Sequence, residues 1–396
     1  MMNPIRFGLA VAVTASLGFA NGDGVSKDGT KAPLLDNLFD SGAKVSYTPG
    51  SGMTFSAQDA SAFSINISGQ VQPGFTYAWG EDIADVSSFG LKTTRLRFAG
   101  NVYNDDVTYF LQLDAADGGE GNGDLVDGWA AWRVMDGINI RFGQQKMRSS
   151  LQADASLSDT DTEMAYNALA TSFFASARST GVLVEGNSGN INWHVGAMNN
   201  STAGFEAAAV NTQINESNEL DFTFGANYSS DGSNTEAWSE GDLDHSGNLS
   251  YIAGANLLVG NDQSPFIAAP ATADNDSTTL NVFAGAKTGS GIAVQAELFS
   301  RSDDDGTNEL DHTGFYVQGS FTMAPGQGTQ WGGVARVSSI DIDGFGTQSE
   351  FGLGLNAYYH KHKLKTQVML TFANVDPDAG NETDATALDV LFTLMF

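Results

Sequence analysis

From Phe63 onward the chain alternates. Phe63, Ile65, Ile67, Val71, Phe75, Tyr77 and Trp79 share one parity, and Ser64, Asn66, Ser68, Gln70, Gln72 and Thr76 the other, which is the pattern of an extended strand with one apolar and one polar face. The alternation returns at "RLRFAGNVY", "VTYFLQLD", "VDGWAAWRV", "INIRFGQQ", "STGVLVEG", "INWHVGAM", "ELDFTFGANYS", "LSYIAGANLLVG", "TLNVFAGAK", "GIAVQAELFSR", "TGFYVQGSFTM", "WGGVARVSSI", "EFGLGLNAYYH", "LKTQVMLTFANV" and "LDVLFTLMF", sixteen segments with the first. A strand of ~10 residues rising ~3.3 Å each and tilted about 45° spans roughly the 25 Å apolar band of an outer-membrane barrel. The pattern predicts an all-β fold, a transmembrane antiparallel β-barrel of about 16 strands over residues 63–396.

The connections test this reading, because such barrels alternate short periplasmic turns with long outer loops. Here "NDD", "MDG", "NSG", "GS", "APGQG" and "HK" alternate with "AADGGEGNGD", residues 143–171, 199–218 and 261–278, "SDDDGTNELDH" and "DPDAGNETDA". One connection breaks the rule. Residues 230–247, "SDGSNTEAWSEGDLDHSG", are long where a short turn is due. In the last strand Leu388, Val390, Phe392, Leu394 and Phe396 form one apolar row, so the terminal aromatics are expected to face lipid, to close the sheet on its first strand and to serve as an assembly signal.

The N-terminal "MMNPIRFGLAVAVTASLGFANGDG" has one basic residue, an apolar run and small residues around Phe19, the anatomy of a secretory signal over residues 1–20. Residues 21–62 then read as a periplasmic segment containing a small hairpin, "KVSY" and "MTFS". No later stretch approaches the ~18–20 apolar residues of a membrane helix. With 18 Lys and Arg against 47 Asp and Glu the formal charge is −29, so the chain lacks the basic surplus that nucleic-acid binding requires. The absence of Cys removes disulfides and thiolate metal sites.

The polar parity carries the candidate chemistry. Arg95, Arg97, Arg133, Arg141, Lys287, Arg301, Arg336 and Lys365 lie on it together with Asp114, Asp127, Glu185, Asp221, Glu297, Glu350 and Asp389. Eight cations against seven anions make a nearly balanced lumen, whereas anion channels use rings of Arg or Lys. Some of these charges are expected to pair across strands and stiffen the wall. The Asp-rich "SDTDTE", "SDDDG" and "DIDG" complete no calcium loop. The five His share no ligand spacing, and no nucleophile elbow or phosphate-cradling loop is present. Neither an enzyme nor a cofactor or metal is expected.

"KTTRLRFAGNVYNDDVTYFLQLD", "GQQKM", "RSTGVLVEG", "GFYVQGSF" and "GLGLNAYYHKHKLKTQV" occur in an order and spacing that resemble the phosphate-selective porin O and P family. Lys92 and Arg95 match its basic cluster while Thr93 departs from it; Lys146 matches the G-Q-x-K block, and Arg148 stands where a Pro is common. Arg178 and Gly181 fit R-x-x-G. The resemblance implies a trimeric sixteen-stranded porin whose third outer loop folds inward. Arg95, Arg97, Arg141, Lys146 and Arg148 then cluster at strands two and five and at the root of that loop, where guanidinium groups can hold an oxyanion by paired hydrogen bonds.

The function expected is therefore a passive channel in the Gram-negative outer membrane for small hydrophilic solutes and ions, inorganic anions among them. A phosphate- or polyphosphate-selective channel is the alternative. A secreted acidic β-rich adhesin is the alternative of another class, although no fixed short repeat supports it. Expected partners are outer-membrane lipid and lipopolysaccharide, the barrel assembly machinery, and further copies of the chain in a homotrimer.

Overall fold

The computed structural model describes residues 43–396 except 61, 81–83, 104, 116–123, 156–160, 176–177, 200–219, 261–275, 305–307 and 327. The expected signal segment lies outside the described residues. Strands β1 (Lys44–Thr48) and β2 (Gly52–Ser56) form a hairpin. Sixteen further strands follow among the described residues: β3 (Phe63–Gly80), β4 (Val86–Val102), β5 (Val107–Asp114), β6 (Asp124–Met135), β7 (Ile138–Lys146), β8 (Arg178–Ser188), β9 (Ile191–Asn199), β10 (Leu220–Ser229), β11 (Ser250–Gly260), β12 (Asp276–Lys287), β13 (Ile292–Asp304), β14 (Glu309–Thr322), β15 (Gln330–Ile342), β16 (Gly346–His360), β17 (Leu364–Pro377) and β18 (Thr383–Met395).

Each pairs antiparallel with the next, from Arg95 opposite Asp114 to Leu370 opposite Leu388. β18 returns to β3, with Thr386 opposite Trp79 and Met395 opposite Gln70, and closes the barrel. Below that point β3 runs on, and β2 takes over its free edge through Phe55 opposite Ile65. Closure and this cap leave the long first strand paired along both halves.

The two faces separate by chemistry as the period of two requires. Along β13, Val294 and Leu298 are exposed while Gln295, Glu297 and Arg301 are buried. The exposed face is the lipid-facing side of a barrel, and Trp132, Tyr228, Tyr251, Phe321, Trp331 and Tyr359, all exposed, sit on it near strand ends at the end of the barrel opposite the β7–β8 connection, as an aromatic belt. Phe392, Leu394 and Phe396 belong to the same face.

Two segments expected as long loops are at least half strand. Asp304 pairs opposite Glu309, so residues 302–304 and 309–312 of "SDDDGTNELDH" belong to β13 and β14, and Val375 opposite Thr383 confines the other turn to residues 378–382. Inward charges explain the first extension. Asp303 accepts from Arg301 Nε at 2.7 Å and lies 3.3 Å from His312 Nε2, which ties both strand ends into the wall. In the second, Asn374 Nδ2 donates to Glu382 and Asp384 at 2.6 and 3.0 Å.

Candidate functional site

Among the described residues the connection from β7 to β8 carries two short helices, α1 (Leu151–Asp154) and α2 (Leu169–Phe174). Ser150 caps α1, its hydroxyl accepting from Ala153 N at 3.2 Å. Glu297 anchors that turn to β13. Its carboxylate accepts from Ser150 Oγ at 3.0 Å, Leu151 N at 3.0 Å and Gln152 N at 2.7 Å, and also from Asn281 Nδ2 and Tyr316 OH. Five donors thus satisfy a carboxylate that is buried away from water.

Farther along, α2 docks on an apolar patch of the polar face. Phe174 stacks on Phe299 at 5.3 Å, and Phe173, Tyr316, Ile340 and Ile342 complete the cluster. Ala170 N donates to Ser338 Oγ at 2.9 Å and Leu169 N to Glu350 at 3.2 Å. Between the helices Arg336 donates to Tyr166 O and Asn167 O at 2.8 and 3.1 Å, Lys365 to Thr162 O, and Asn356 Nδ2 to Glu163 O at 3.0 Å. The segment thus leaves the wall at β7 and touches the polar faces of β13 to β17.

The long connection from β10 to β11 reaches the same region from the other end of the barrel. Trp238 Nε1 donates to Gln295 at 3.1 Å, and Lys287 Nζ lies 4.4 Å from the Trp238 ring centre. A Cβ on Gly285 would stand 2.6 Å from Trp238 Cζ2, so only glycine leaves room for the indole there. Glu240 accepts from Gln152, Gln295 and Gln318 side chains and from Glu163 N, at 2.7 to 2.8 Å. One carboxylate therefore joins both inserted segments to the wall.

The charges named from sequence divide by partner. Arg95 pairs with Asp114 at 2.8 Å, and Arg97 donates to Gln112 and Gln70. Arg301 pairs with Asp303 and Arg336 with Glu350, at 2.7 and 2.9 Å. Lys287 and Lys365 hold the inserted segments, the former also through Ser239 Oγ at 3.1 Å. Arg133 stands apart, half exposed beside Asp106 at a short connection.

Arg141, Lys146 and Arg148 come together on β7 and at the base of the β7–β8 connection. Lys146 Nζ donates to Ala153 O at 2.7 Å. Arg141 reaches Glu185 at 2.8 Å and Glu236 at 2.9 Å; Arg148 reaches the same two carboxylates at 3.1 and 2.8 Å. Burial pushes the Glu236 carboxyl up, but Arg148 and Arg141 outweigh it and hold it below the usual carboxylate range. Glu236, Trp238 and Glu240 are the participants that parity did not reveal, since they belong to a connection. The anomalous length of residues 230–247, and a Trp within so polar a segment, were the visible signals.

A family model described as phosphate-selective porin O and P matches residues 65–395. The chain belongs to this family. It is a porin of the Gram-negative outer membrane, a passive channel rather than an adhesin. Among solved structures the outer-membrane channel DcaP of Acinetobacter baumannii superposes with a TM-score of 0.60 at 14% identity, covering 85% of this chain and 98% of that one. The anion-selective porin of Comamonas acidovorans gives 0.59 at 14% identity, covering 84% and 100%. OmpT of Vibrio cholerae, as a loop-deletion mutant, gives 0.54 at 12% identity, covering 84% and 99%. At such identities the superpositions speak to the barrel fold alone. No curated protein sequence matches the chain.

Proposed function

We propose that this porin is a weakly selective diffusion channel for small hydrophilic solutes, narrowed by the segment between β7 and β8, with a local oxyanion site at Arg95, Arg97, Arg141, Lys146 and Arg148. The observation that carries this is the pairing of charges on the polar face: Arg95, Arg141, Arg148, Arg301 and Arg336 each contact a carboxylate within 3.1 Å. A guanidinium already neutralised adds little to the long-range potential that concentrates anions. The acidic outer face of a chain with charge −29 opposes anion entry as well. The anion-selective neighbour and the family description favour oxyanions among the solutes carried.

A trimer is part of this reading, supported by a neighbour solved in trimer form, OmpT of Vibrio cholerae. Recognition of Phe392, Leu394 and Phe396 by the assembly machinery and packing of the apolar belt against lipid and lipopolysaccharide complete it. The test is the reversal potential in a potassium chloride gradient. Replacing the five basic residues by Gln is expected to shift it toward cations, more in dilute than in concentrated salt. Strong block of chloride current by low phosphate in the unsubstituted channel would favour the phosphate-selective alternative instead.

A further inference from the structure

We propose that Glu236 is a tethered occupant of the oxyanion site: the connection between β10 and β11 carries its own carboxylate to the Arg141–Arg148 pair, where a solute oxyanion would otherwise bind. The inference rests on the weakly selective channel reading and names the residue that sets its selectivity.

The contacts are those of a bound carboxylate. Glu236 Oε1 lies 2.9 Å from Arg141 Nη1 and 2.8 Å from Arg148 Nη2, and Oε2 lies 3.3 Å from Arg141 Nη2. Two guanidinium groups holding one carboxylate is the arrangement that recognises phosphate or carboxylate solutes. Glu185 supplies a second carboxylate to the same two guanidinium groups. Removing the Glu236 charge leaves them facing one carboxylate instead of two.

The position of Glu236 is imposed by its neighbours. Asn234 caps the turn over Thr235–Ala237, its Oδ1 accepting from Ala237 N at 3.1 Å. Thr235 Oγ1 donates to Asp154 at 3.1 Å, and Trp238 is fixed on Gln295 and Gly285 on the other side. Asn192 and Asn227 hold Ser233 O through their side-chain amides at 2.9 and 3.1 Å. The backbone is therefore pinned before and after the carboxylate.

The pair also retains unused capacity. Arg141 Nε and Arg148 Nη1 are buried without a hydrogen-bond partner among the described residues, although their side chains are only 6% and 3% exposed. A cavity of about 310 Å³ adjoins Arg148, lined also by Glu185, His194, Asn227 and Thr235. An entering oxyanion competes with Glu236 for the same pair, so the native site binds it weakly.

The full-length porin reconstituted in planar bilayers tests this, with inorganic phosphate and acetate as probes. Glu236→Gln keeps the side-chain shape and removes the charge. It is expected to shift the reversal potential toward anions and to lower about tenfold the phosphate concentration that halves the chloride current, as a gained charge-assisted contact would. Glu236→Ala is the second variant: acetate should inhibit its chloride current at concentrations that leave the unsubstituted channel unaffected. If both variants keep the native reversal potential and respond to phosphate and acetate as the unsubstituted channel does, the proposal is overturned. Failure of the underlying reading shows elsewhere, as an unchanged reversal potential when the five basic residues become Gln.

Discussion

Gly69 and Phe396 exchange both backbone hydrogen bonds, Gly69 N to Phe396 O at 2.8 Å and Phe396 N to Gly69 O at 2.9 Å. A Cβ on Gly69 would stand 2.7 Å from Phe396 Cζ, so the aromatic ring lies over the glycine on the outer face. The last residue is thus the final rung of the ladder that closes β18 on β3. Immediately beyond it, β3 passes to the edge of β2.

Two substitutions separate the roles of this rung. Gly69→Val overpacks it at a cost of about 1–3 kcal/mol, expected as a lower urea midpoint for refolded barrel in detergent. Phe396→Asp sits at a strand end, where an outward charge costs only about 0–1 kcal/mol, so refolding in detergent should be near normal. On the proposal that the apolar row is an assembly signal, its yield of heat-modifiable protein in the outer membrane should fall sharply. Normal membrane yield would show that the row is not read.

The docking of the outer loop is concentrated at Phe174, fully buried and stacked on Phe299. Phe174→Ala is expected to cost about 3–5 kcal/mol of local packing. Because the barrel ladder is untouched, the loss should appear as loop mobility, with noisier and larger single-channel currents and faster cleavage by externally added protease. A quiet channel of native conductance would show that the hydrogen bonds to Glu297, Arg336 and Lys365 suffice to hold the loop.

The barrel was legible because its signal is repeated. Sixteen alternating segments each vote for the same geometry, and the lipid requirement makes one face apolar throughout. What parity could not give was the use of the inner face. Phe299, Tyr316, Ile340 and Ile342 share the polar parity, and these apolar departures mark the dock for α2. The arginines were found by the same rule, but their carboxylate partners came partly from connections. Arg148 and Glu236 are far apart in sequence and neither lies in a strand, so no periodicity links them.

Trp238 plays for the periplasmic connection the part that Phe174 plays for the outer loop. It is 5% exposed, donates to Gln295 and sits under Lys287 Nζ. Trp238→Ala should release this connection at a local cost of about 3–5 kcal/mol, raising conductance and making residues 230–249 sensitive to protease added on the periplasmic side only. Equal sensitivity in the unsubstituted porin would mean that the segment is not held inside the barrel.

The final expectation concerns pH and follows from two buried carboxyls of the outer loop. Burial raises Asp154 from its ordinary 3.8 to about 7, against the opposing pull of Arg148 and Lys146 and with Glu236 adding to the rise. Burial, with Glu240 adding to it, raises Glu163 from 4.5 to about 8, opposed by Lys365 and Lys287. A carboxyl raised in the folded state favours its neutral form, so the stabilisation is complete below its unfolded value and is lost as pH rises through its folded value. Docking of the loop should therefore weaken progressively from the unfolded values of 3.8 and 4.5 upward and level off once pH has passed about 7 and about 8. Around those two upper values the folded interior gains two negative charges, which should move the reversal potential toward cations and increase current noise. Asp154→Asn with Glu163→Gln should reduce this dependence while leaving a conducting channel. A shift toward anions on raising the pH, or an undiminished shift in the double variant, would place the titrating groups elsewhere.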